Sequence, residues 1–183
     1  MNDAGVDFKV KTIRVDERNV AVQLWDTAGK NLPLFHPASV SFGIITFCKR
    51  IGQERFRSIT QSYFRKADGV MLLFDVTSER SFLNIRHWAD CLSDCLSRQQ
   101  LDLPLVLVGT KSDLRPASQH QGLSCVGTVQ AQRLAAQLKA QYIETSAKTG
   151  HNLLEALVVL TRSVLDSVQF RMLIFFSTPP RHL

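Results

Sequence analysis

Apolar and polar residues alternate near the start of the chain in the manner of two β-strands. Residues 6–15 place most of their apolar side chains at alternate positions, and residues 20–25 resume the alternation after the polar residues 16–19. Polar residues of this kind favour a tight connection between two strands. The pattern predicts an antiparallel hairpin.

Further along the chain, compact apolar runs alternate with helical patterns. Residues 69–75 and 104–109 are typical of strands buried on both faces, and residues 141–144 are predicted as another short strand. Helices are predicted at residues 58–65, at 128–140 and from 151 to about 166. Another helix is predicted to begin at Ser81, which would serve as its N-cap. Residues 115–126 are predicted as a long polar loop. Strands alternating with amphipathic helices predict an α/β fold with a mainly parallel sheet, whose ligands bind at the carboxyl ends of the strands.

The composition is that of a soluble globular domain. The chain has 183 residues, of which 45% are hydrophobic and 21% charged, and its net charge is +6. Its basic residues are scattered, and no cluster mixes them with aromatic residues as a nucleic-acid surface would, so we expect no nucleic-acid partner. The four cysteines have neither metal-ligand nor disulfide-framework spacing, no signal peptide opens the chain, and the apolar residues 172–176 are too few to cross a bilayer. We expect a reducing, cytoplasmic location.

Three short motifs follow predicted strands, where ligands of such a sheet bind. Asp26-Thr-Ala-Gly29 offers a carboxylate that can hold Mg²⁺, usually through water, and a glycine whose N–H can approach a terminal phosphate. In Thr110-Lys-Ser-Asp113, the aspartate can accept hydrogen bonds from N1–H and the 2-amino group of guanine, a donor pair that adenine lacks. The third motif is Glu144-Thr-Ser-Ala-Lys148. Taken singly, the first is a string that also occurs by chance in turns, and the second is equally explained by a helix-capping loop.

Taken together, the motifs resemble those of the Rab family of Ras-like small GTPases. Residues 25–29 and 53–60, read with the intervening residues removed, give WDTAGQERFRSIT, which resembles the Rab form of the switch II signature. The second motif resembles the NKxD guanine motif, with Thr110 in place of asparagine, and the third resembles the SAK motif. Residues 65–69 and 81–86 are most similar to the large Rabs that carry EF-hands before the GTPase domain, although no EF-hand calcium loop is present here.

The resemblance implies a Ras-like P-loop NTPase fold, which is an α/β fold with helices on both faces of a mainly parallel sheet. It also implies a GTPase that cleaves GTP to GDP and phosphate and acts as a GTP/GDP switch of vesicle and membrane traffic. The implied cofactors are GTP or GDP and Mg²⁺. The implied partners are Rab effectors, an exchange factor and a GTPase-activating protein, at endomembranes.

The resemblance assigns roles to individual residues as well. Asp26 serves Mg²⁺ through water, Gln53 orients the attacking water, and either Gly29 or Gly52 donates an N–H to the terminal phosphate. Guanine is bound by residues of the second and third motifs, namely Thr110, Lys111, Asp113, Ser146, Ala147 and Lys148. The effector face consists of three aromatic residues, Phe8, Trp25 and Tyr63, for which ordinary core packing is the alternative explanation.

The chain departs from the family pattern in several places. No G-x-x-x-x-G-K-[ST] phosphate loop occurs among the 183 residues, so we expect the family's first strand, phosphate loop and first helix to be missing and nucleotide binding to be weakened. In the family, the first strand is central in the sheet and lies between the two strands that match residues 20–25 and 69–75 of this chain. No prenylation cysteines stand near the end of the chain, so we expect no direct lipid anchor. Residues 30–52 separate Gly29 from Gln53, and we predict impaired hydrolysis because the positioning of water tolerates little displacement.

We therefore interpret residues 1–168 as a partial Rab-like GTPase domain with an insertion at 30–52 within switch II, and residues 169–183 as a divergent tail. A non-catalytic effector-binding module stays open as an alternative, as does a non-functional product of splicing or of a flawed gene model. Residues 40–47 are β-branched and aromatic and have strand propensity. A strand there could fill the slot of the missing central strand, but we disfavour this because register and connection would both have to arise by chance.

Overall fold

Six strands form one sheet in the part of the chain that the structure describes. The computed structural model describes residues 8–26, 46–48, 67–95, 103–120 and 125–177. The strands are adjacent in chain order: β1 Phe8–Val15, β2 Arg18–Asp26, β3 Thr46–Cys48, β4 Val70–Asp75, β5 Leu105–Thr110 and β6 Gln141–Glu144. The first pair is antiparallel and the four later pairs are parallel. The predicted mainly parallel sheet is confirmed.

The hairpin of β1 and β2 turns through two residues with left-handed backbones. Asp16 has φ 46° and Glu17 has φ 67°. Positive φ at both central residues gives a turn whose twist matches that of the flanking strands. The register runs from Phe8 opposite Trp25 to Val15 opposite Arg18. The predicted antiparallel hairpin is confirmed, and residues 6–7 of the predicted first strand lie outside the described residues.

The short strand β3 lies between β2 and β4, in the slot that the family resemblance leaves to a missing central strand. Trp25 is opposite Thr46, and Thr46 is in turn opposite Val70, both in parallel pairing. Our preference against a strand from this segment filling the slot was therefore wrong. The reason is that an open slot exposes unpaired backbone groups on two strands, and three residues from the insertion pair with the part of each strand that lies beside them. The other residues of the predicted run, 40–45, lie outside the described residues.

Helices cover both faces of the sheet, as predicted. Helices α1 (Glu79–Cys95) and α3 (Thr128–Gln137) pack on one face, whose core includes Leu72, Phe74, Ile85, Leu107 and Leu134. Helix α4 (Leu153–Ser177) packs on the other face, with Val22, Met71, Val106, Leu160 and Val164. Alternate residues of β4 thus enter opposite cores, which explains why its sequence is continuously apolar.

Helix boundaries differ from the prediction in several places. Helix α3 ends at Gln137 instead of residue 140, and α4 begins at Leu153 instead of residue 151. Helix α1 begins before Ser81, because the hydroxyl oxygen of Ser78 accepts a 3.3 Å hydrogen bond from the Ser81 N–H and so occupies the N-cap position. Residues 115–120, predicted as part of a loop, form a short helix, α2 (Arg115–His120). Helix α4 continues past residue 166 to Ser177, because no helix-breaking residue occurs before Pro179. The predicted helix at 58–65 lies outside the described residues.

Membrane insertion through a helix is not supported by the described part of the chain. None of the helices there combines the length and the apolar character needed to cross a bilayer.

Candidate functional site

A cavity of about 720 Å³ opens at the carboxyl ends of the parallel strands. Five of the predicted guanine-binding residues line it, namely Thr110, Lys111, Asp113, Ala147 and Lys148. The rest of the wall is mainly apolar and includes Leu24, Met71, Leu73, Val108 and Leu157. The second and third motifs therefore meet at one site, as the rule for parallel sheets predicts.

The loop after β5 is fixed by its backbone geometry. The hydroxyl of Thr110 donates a 2.9 Å hydrogen bond to the backbone carbonyl of Phe74, which ties the end of β5 to β4. Lys111 follows with φ 62° and ψ 36°, a left-handed conformation that costs free energy in a residue other than glycine. A single 3₁₀ turn, Ser112–Leu114, then carries Asp113 to the cavity wall. The sharp left-handed bend thus separates the strand from the residue predicted to recognise guanine.

The loop after β6 supports Asp113 directly. The Ser146 hydroxyl, on a fully buried residue, donates a 2.5 Å hydrogen bond to Asp113 Oδ1. The same oxygen of Ser146 accepts a 3.2 Å bond from the Thr149 N–H. The backbone also joins the two loops, because the Ser112 N–H donates to the Thr145 carbonyl at 3.1 Å. Ser146 therefore lies behind the cavity wall and fixes the carboxylate of Asp113, while its neighbour Ala147 lines the cavity.

The carboxylate of Asp75, at the carboxyl end of β4, holds the side chain of Lys111. Its Oδ2 lies 2.5 Å from Lys111 Nζ, and its Oδ1 accepts bonds from the N–H and the hydroxyl of Thr77 at 2.9 and 2.7 Å. Burial alone raises the pKa of Asp75, but the hydrogen bonds from Lys111 and Thr77 outweigh it and lower the pKa. The Lys111 stem is thereby held along the cavity. Sequence reasoning assigned Asp75 no role, although its place after a buried strand is the signal applied to Asp26.

A second carboxylate, that of Glu144, collects four hydrogen bonds just behind the site. Arg115 donates through Nε to Oε2 and through an NH₂ nitrogen to Oε1, both at 2.7 Å. Thr128 and Tyr142 donate their hydroxyls to Oε1 at 2.9 and 2.8 Å. Burial raises the pKa of Glu144, and the bonds from Arg115, Tyr142 and Thr128 reverse this and lower it. Glu144 begins the third motif, but sequence reasoning gave neither it nor Arg115 a role of its own, because the pairing joins residues 29 positions apart.

Gly109 makes room for this arrangement. A Cβ at this position would stand 2.7 Å from the Tyr142 hydroxyl oxygen and 3.0 Å from Val76 Cγ1. Tyr142 stacks on Phe74 with ring centroids 6.2 Å apart, so its ring has little freedom to move away. The glycine therefore permits the tyrosine hydroxyl to reach Glu144.

The remaining predicted site residues fall outside what the structure describes in full. Gly29, Gly52, Gln53 and Tyr63 lie outside the described residues. Phe8, Trp25 and Asp26 are placed by their backbone, with Asp26 at the carboxyl end of β2, on the edge of the sheet that carries the cavity. Among the described side chains, no group of three or more potential metal ligands occurs. The contacts that the family resemblance assigns to these seven residues, with phosphate, Mg²⁺, water and effectors, stay predictions.

The geometry suits a flat base with hydrogen-bond donors on one edge. Asp113 offers a carboxylate, Lys111 and Lys148 offer aliphatic stems with terminal charge, and Ala147 lines the same cavity. A carboxylate accepts from the N1–H and 2-amino pair of guanine, whereas adenine would leave it unpaired. The residues present therefore fit guanine better than adenine.

Comparison with known proteins agrees with this chemistry. Residues 46–166 match the family model described as Ras family. The chain is 44% identical over 160 residues to the Ras and EF-hand domain-containing protein of Xenopus tropicalis, which covers 87% of this chain and 19% of that protein. It is 39% identical over 160 residues to the Ras-related protein Rab-44 of Homo sapiens, covering 87% of this chain and 12% of that protein.

A smaller relative gives the same assignment. The Ras-related protein Rab-8B of Pongo abelii is 32% identical over 168 residues, which cover 92% of this chain and 66% of that protein. By contrast, the chain spans only about a fifth of the length of the Ras and EF-hand domain-containing proteins it matches. The large EF-hand Rabs named by the sequence resemblance are confirmed as relatives. The chain belongs to the Ras family of small GTPases and is similar to its Rab members.

Proposed function

We propose that this chain binds guanine nucleotides and acts as a Rab-type GTP/GDP switch of vesicle and membrane traffic. The observation that carries the proposal is the meeting of Asp113 and Ala147 at one cavity, with Asp113 held from behind by Ser146. Asp113 accepts from N1–H and the 2-amino group of guanine, the Ala147 N–H donates to O6, and the stem of Lys111 lies over the base. Rab effectors, an exchange factor and a GTPase-activating protein are the proposed partners.

The roles at the other end of the site are proposed from the family. Asp26 binds Mg²⁺ through water, Gly29 or Gly52 donates to the terminal phosphate, and Gln53 orients the attacking water. Effectors contact Phe8, Trp25 and Tyr63, and the chain works in the cytoplasm.

We further propose that GTP hydrolysis by this chain is impaired. Because β2 and β3 are parallel neighbours, the chain leaves the same edge of the sheet after Asp26 and again after Cys48. The segments that carry Gly29 and Gln53 therefore depart from one edge, but they are no longer covalently adjacent as in an uninterrupted switch II. A catalytic water loses much of its reactivity when it is displaced by as little as 1 Å, roughly a hundredfold.

Titration of the purified chain with GDP and ADP tests the binding proposal. We expect heat of binding with GDP and none with ADP at the same concentration, and weaker GDP binding by Asp113→Ala. Chromatography of nucleotide released on denaturation provides an independent readout of what the chain carries. Equal binding of the two nucleotides, or an unaffected Asp113→Ala variant, would contradict guanine recognition. A cooperative thermal transition without any nucleotide binding would favour the non-catalytic effector-binding module.

Turnover tests the second proposal. With GTP in excess, we expect phosphate release by the unaltered chain to be no faster than by Gln53→Ala, because the glutamine does not hold the water. A clear loss of turnover in Gln53→Ala would show that the glutamine still acts and would refute the impairment.

A further inference from the structure

We propose that Arg115 and Glu144 are positioning residues for guanine recognition, which fix the Asp113 carboxylate relative to the loop carrying Ala147. This inference rests on the proposed guanine-binding function. Neither residue lines the cavity that would hold the base. Their influence would therefore reach the nucleotide only through the groups that they hold.

The contacts close a ring around the two recognition loops. Arg115 directly follows the 3₁₀ turn that carries Asp113, and Glu144 directly precedes the buried residues Thr145 and Ser146. On one side the ring closes through the two Arg115–Glu144 hydrogen bonds at 2.7 Å. On the other side it closes through the 2.5 Å bond from Ser146 to Asp113. A shift of either loop alone would have to break one of these closures.

All three side-chain nitrogens of Arg115 donate hydrogen bonds. Besides its two bonds to Glu144, Arg115 donates from its other terminal nitrogen to the backbone carbonyl of Val126 at 2.7 Å. The Arg115 and Glu144 side chains are only 18% and 20% exposed, so water competes weakly for these bonds. A planar guanidinium can engage a carboxylate and a carbonyl at once, whereas a lysine ammonium cannot reproduce the paired geometry. Arginine is therefore chemically specific to this position.

The carboxylate of Glu144 is also held by two hydroxyl groups, one from β6 and one from α3. Tyr142 donates to Glu144 Oε1 from a ring stacked on Phe74, and Thr128 at the start of α3 donates to the same oxygen. The backbone carbonyl of Glu144 accepts a 3.0 Å bond from the Asn152 amide, on the turn that follows the second recognition loop. Glu144 thus joins β6, α3 and that turn, and transmits their rigidity to the loop that holds Asp113.

Base discrimination separates a positioning role from a contribution to stability alone. IDP differs from GDP in lacking the 2-amino group. The dissociation constant of IDP divided by that of GDP therefore reports how well Asp113 meets that group. A loss of general stability weakens the binding of both nucleotides alike and leaves this ratio unchanged. Displacement of Asp113 weakens the binding of GDP more than that of IDP and lowers the ratio.

The chain offers two matched controls. Arg162 makes an equivalent paired contact with Asp16, at 2.8 Å through each nitrogen, between α4 and the hairpin turn and in neither recognition loop. Arg162→Lys therefore makes the same chemical change outside the site. Leu160→Ala removes a fully buried side chain from the core under α4 and destabilises the chain without touching either loop.

The experiment compares Arg115→Lys with Arg162→Lys and Leu160→Ala in the full chain, titrated with GDP and IDP. We expect Arg115→Lys to lower the preference for GDP by about threefold or more, because part of one charge-assisted contact is lost. Both controls should keep the unaltered preference. An unchanged ratio in Arg115→Lys overturns the positioning role, even if the protein is less stable.

Amide hydrogen exchange decides the same question without nucleotide. The N–H groups of Ser112 and Thr149 are bonded to the opposite loop and to Ser146, respectively. They should exchange faster in Arg115→Lys and not in Arg162→Lys. If the unaltered chain binds neither GDP nor IDP, the proposed function fails, and unchanged exchange at both groups would then overturn the positioning role separately.

Discussion

Two arginine–carboxylate pairs of similar geometry occur in different surroundings in this chain. Arg115 meets Glu144 behind the recognition loops, with side chains 18% and 20% exposed, whereas Arg162 on α4 meets Asp16 in the turn of the β1–β2 hairpin, with side chains 45% and 61% exposed. Both pairs are bidentate, with distances of 2.7 and 2.8 Å. The difference lies in their neighbours, because Glu144 also accepts from Tyr142 and Thr128.

Burial and shared partners, more than geometry, determine what such a pair does. An exposed pair competes with water and salt and contributes little to stability. A partly buried carboxylate with several donors leaves those donors unsatisfied when it is removed, which is costly. We therefore expect substitutions at the recognition loops to have consequences that the same substitutions in the hairpin lack.

The largest expected effect is a change of base preference by Asp113→Asn. The amide cannot accept from both guanine donors, so GDP binding should weaken by about tenfold to a hundredfold. Its NH₂ group can instead donate to the 2-oxo group of xanthine, so the preference for xanthosine diphosphate over GDP should rise. Calorimetric titration with both nucleotides measures this, and Asp16→Asn in the hairpin serves as the control with unchanged preference. Equal losses for both nucleotides would show that Asp113 does not meet the 2-position.

Removal of the buried carboxylate should produce the next largest effect. In Glu144→Ala, Arg115, Tyr142 and Thr128 all lose an acceptor, and we expect a loss of about 2 kcal/mol in the free energy of unfolding. For a domain of this size, the thermal midpoint should fall by about 4–8 °C. Asp16→Ala should leave the midpoint nearly unchanged. Similar midpoints for the two variants, followed by circular dichroism, would remove the distinction between the pairs.

A methyl group at Gly109 should disturb the buried network from below. Gly109→Ala places Cβ 2.7 Å from the Tyr142 hydroxyl oxygen, and we expect a cost of about 1–2 kcal/mol. The cost should be smaller in a Tyr142→Phe background, since the atom in closest contact is then absent. Urea denaturation of the two single variants and the double variant measures this coupling. Additive losses would mean that the clash with Val76 Cγ1, at 3.0 Å, is the more important one.

Local pattern and strand-end motifs were sufficient to predict much of this structure. The hairpin, the parallel sheet and the meeting of the Thr110–Asp113 and Glu144–Lys148 motifs depend on periodicity and on the carboxyl-edge rule, which act over short stretches of chain. The roles of Arg115 and Glu144 depend on a contact between distant residues, and a single sequence carries no signal for that pairing. A strand in the place of β3 was considered but disfavoured, because the sequence alone shows neither register nor connection, whereas the three residues of β3 take their conformation from the neighbouring strands β2 and β4.

The smallest expected effect, and the finest test of the two pairs, is the dependence of stability on pH at two salt concentrations. Burial raises the pKa of Glu144, but the bonds from Arg115, Tyr142 and Thr128 bring it below its ordinary 4.5. The hydrogen bond from Arg162 lowers the pKa of Asp16 below its ordinary 3.8. A carboxyl whose pKa is lowered on folding contributes stability above its unfolded pKa and loses it as the pH falls through the folded value. The thermal midpoint should therefore fall as the pH is lowered from about 5 to 3, and less steeply in Glu144→Gln.

Salt should separate the contributions of the two carboxylates. In about 1 M NaCl the Debye length is near 3 Å, so the exposed Asp16 contact is screened and Asp16→Asn should no longer alter the slope of midpoint against pH. Glu144→Gln should still flatten that slope, because its carboxylate is bonded in a partly buried network that ions do not enter. Differential scanning calorimetry across this pH range, at low and high salt, measures both slopes. If salt removes the effect of Glu144→Gln as completely as that of Asp16→Asn, then burial does not distinguish the two pairs and the ring around the recognition loops is no firmer than the hairpin contact.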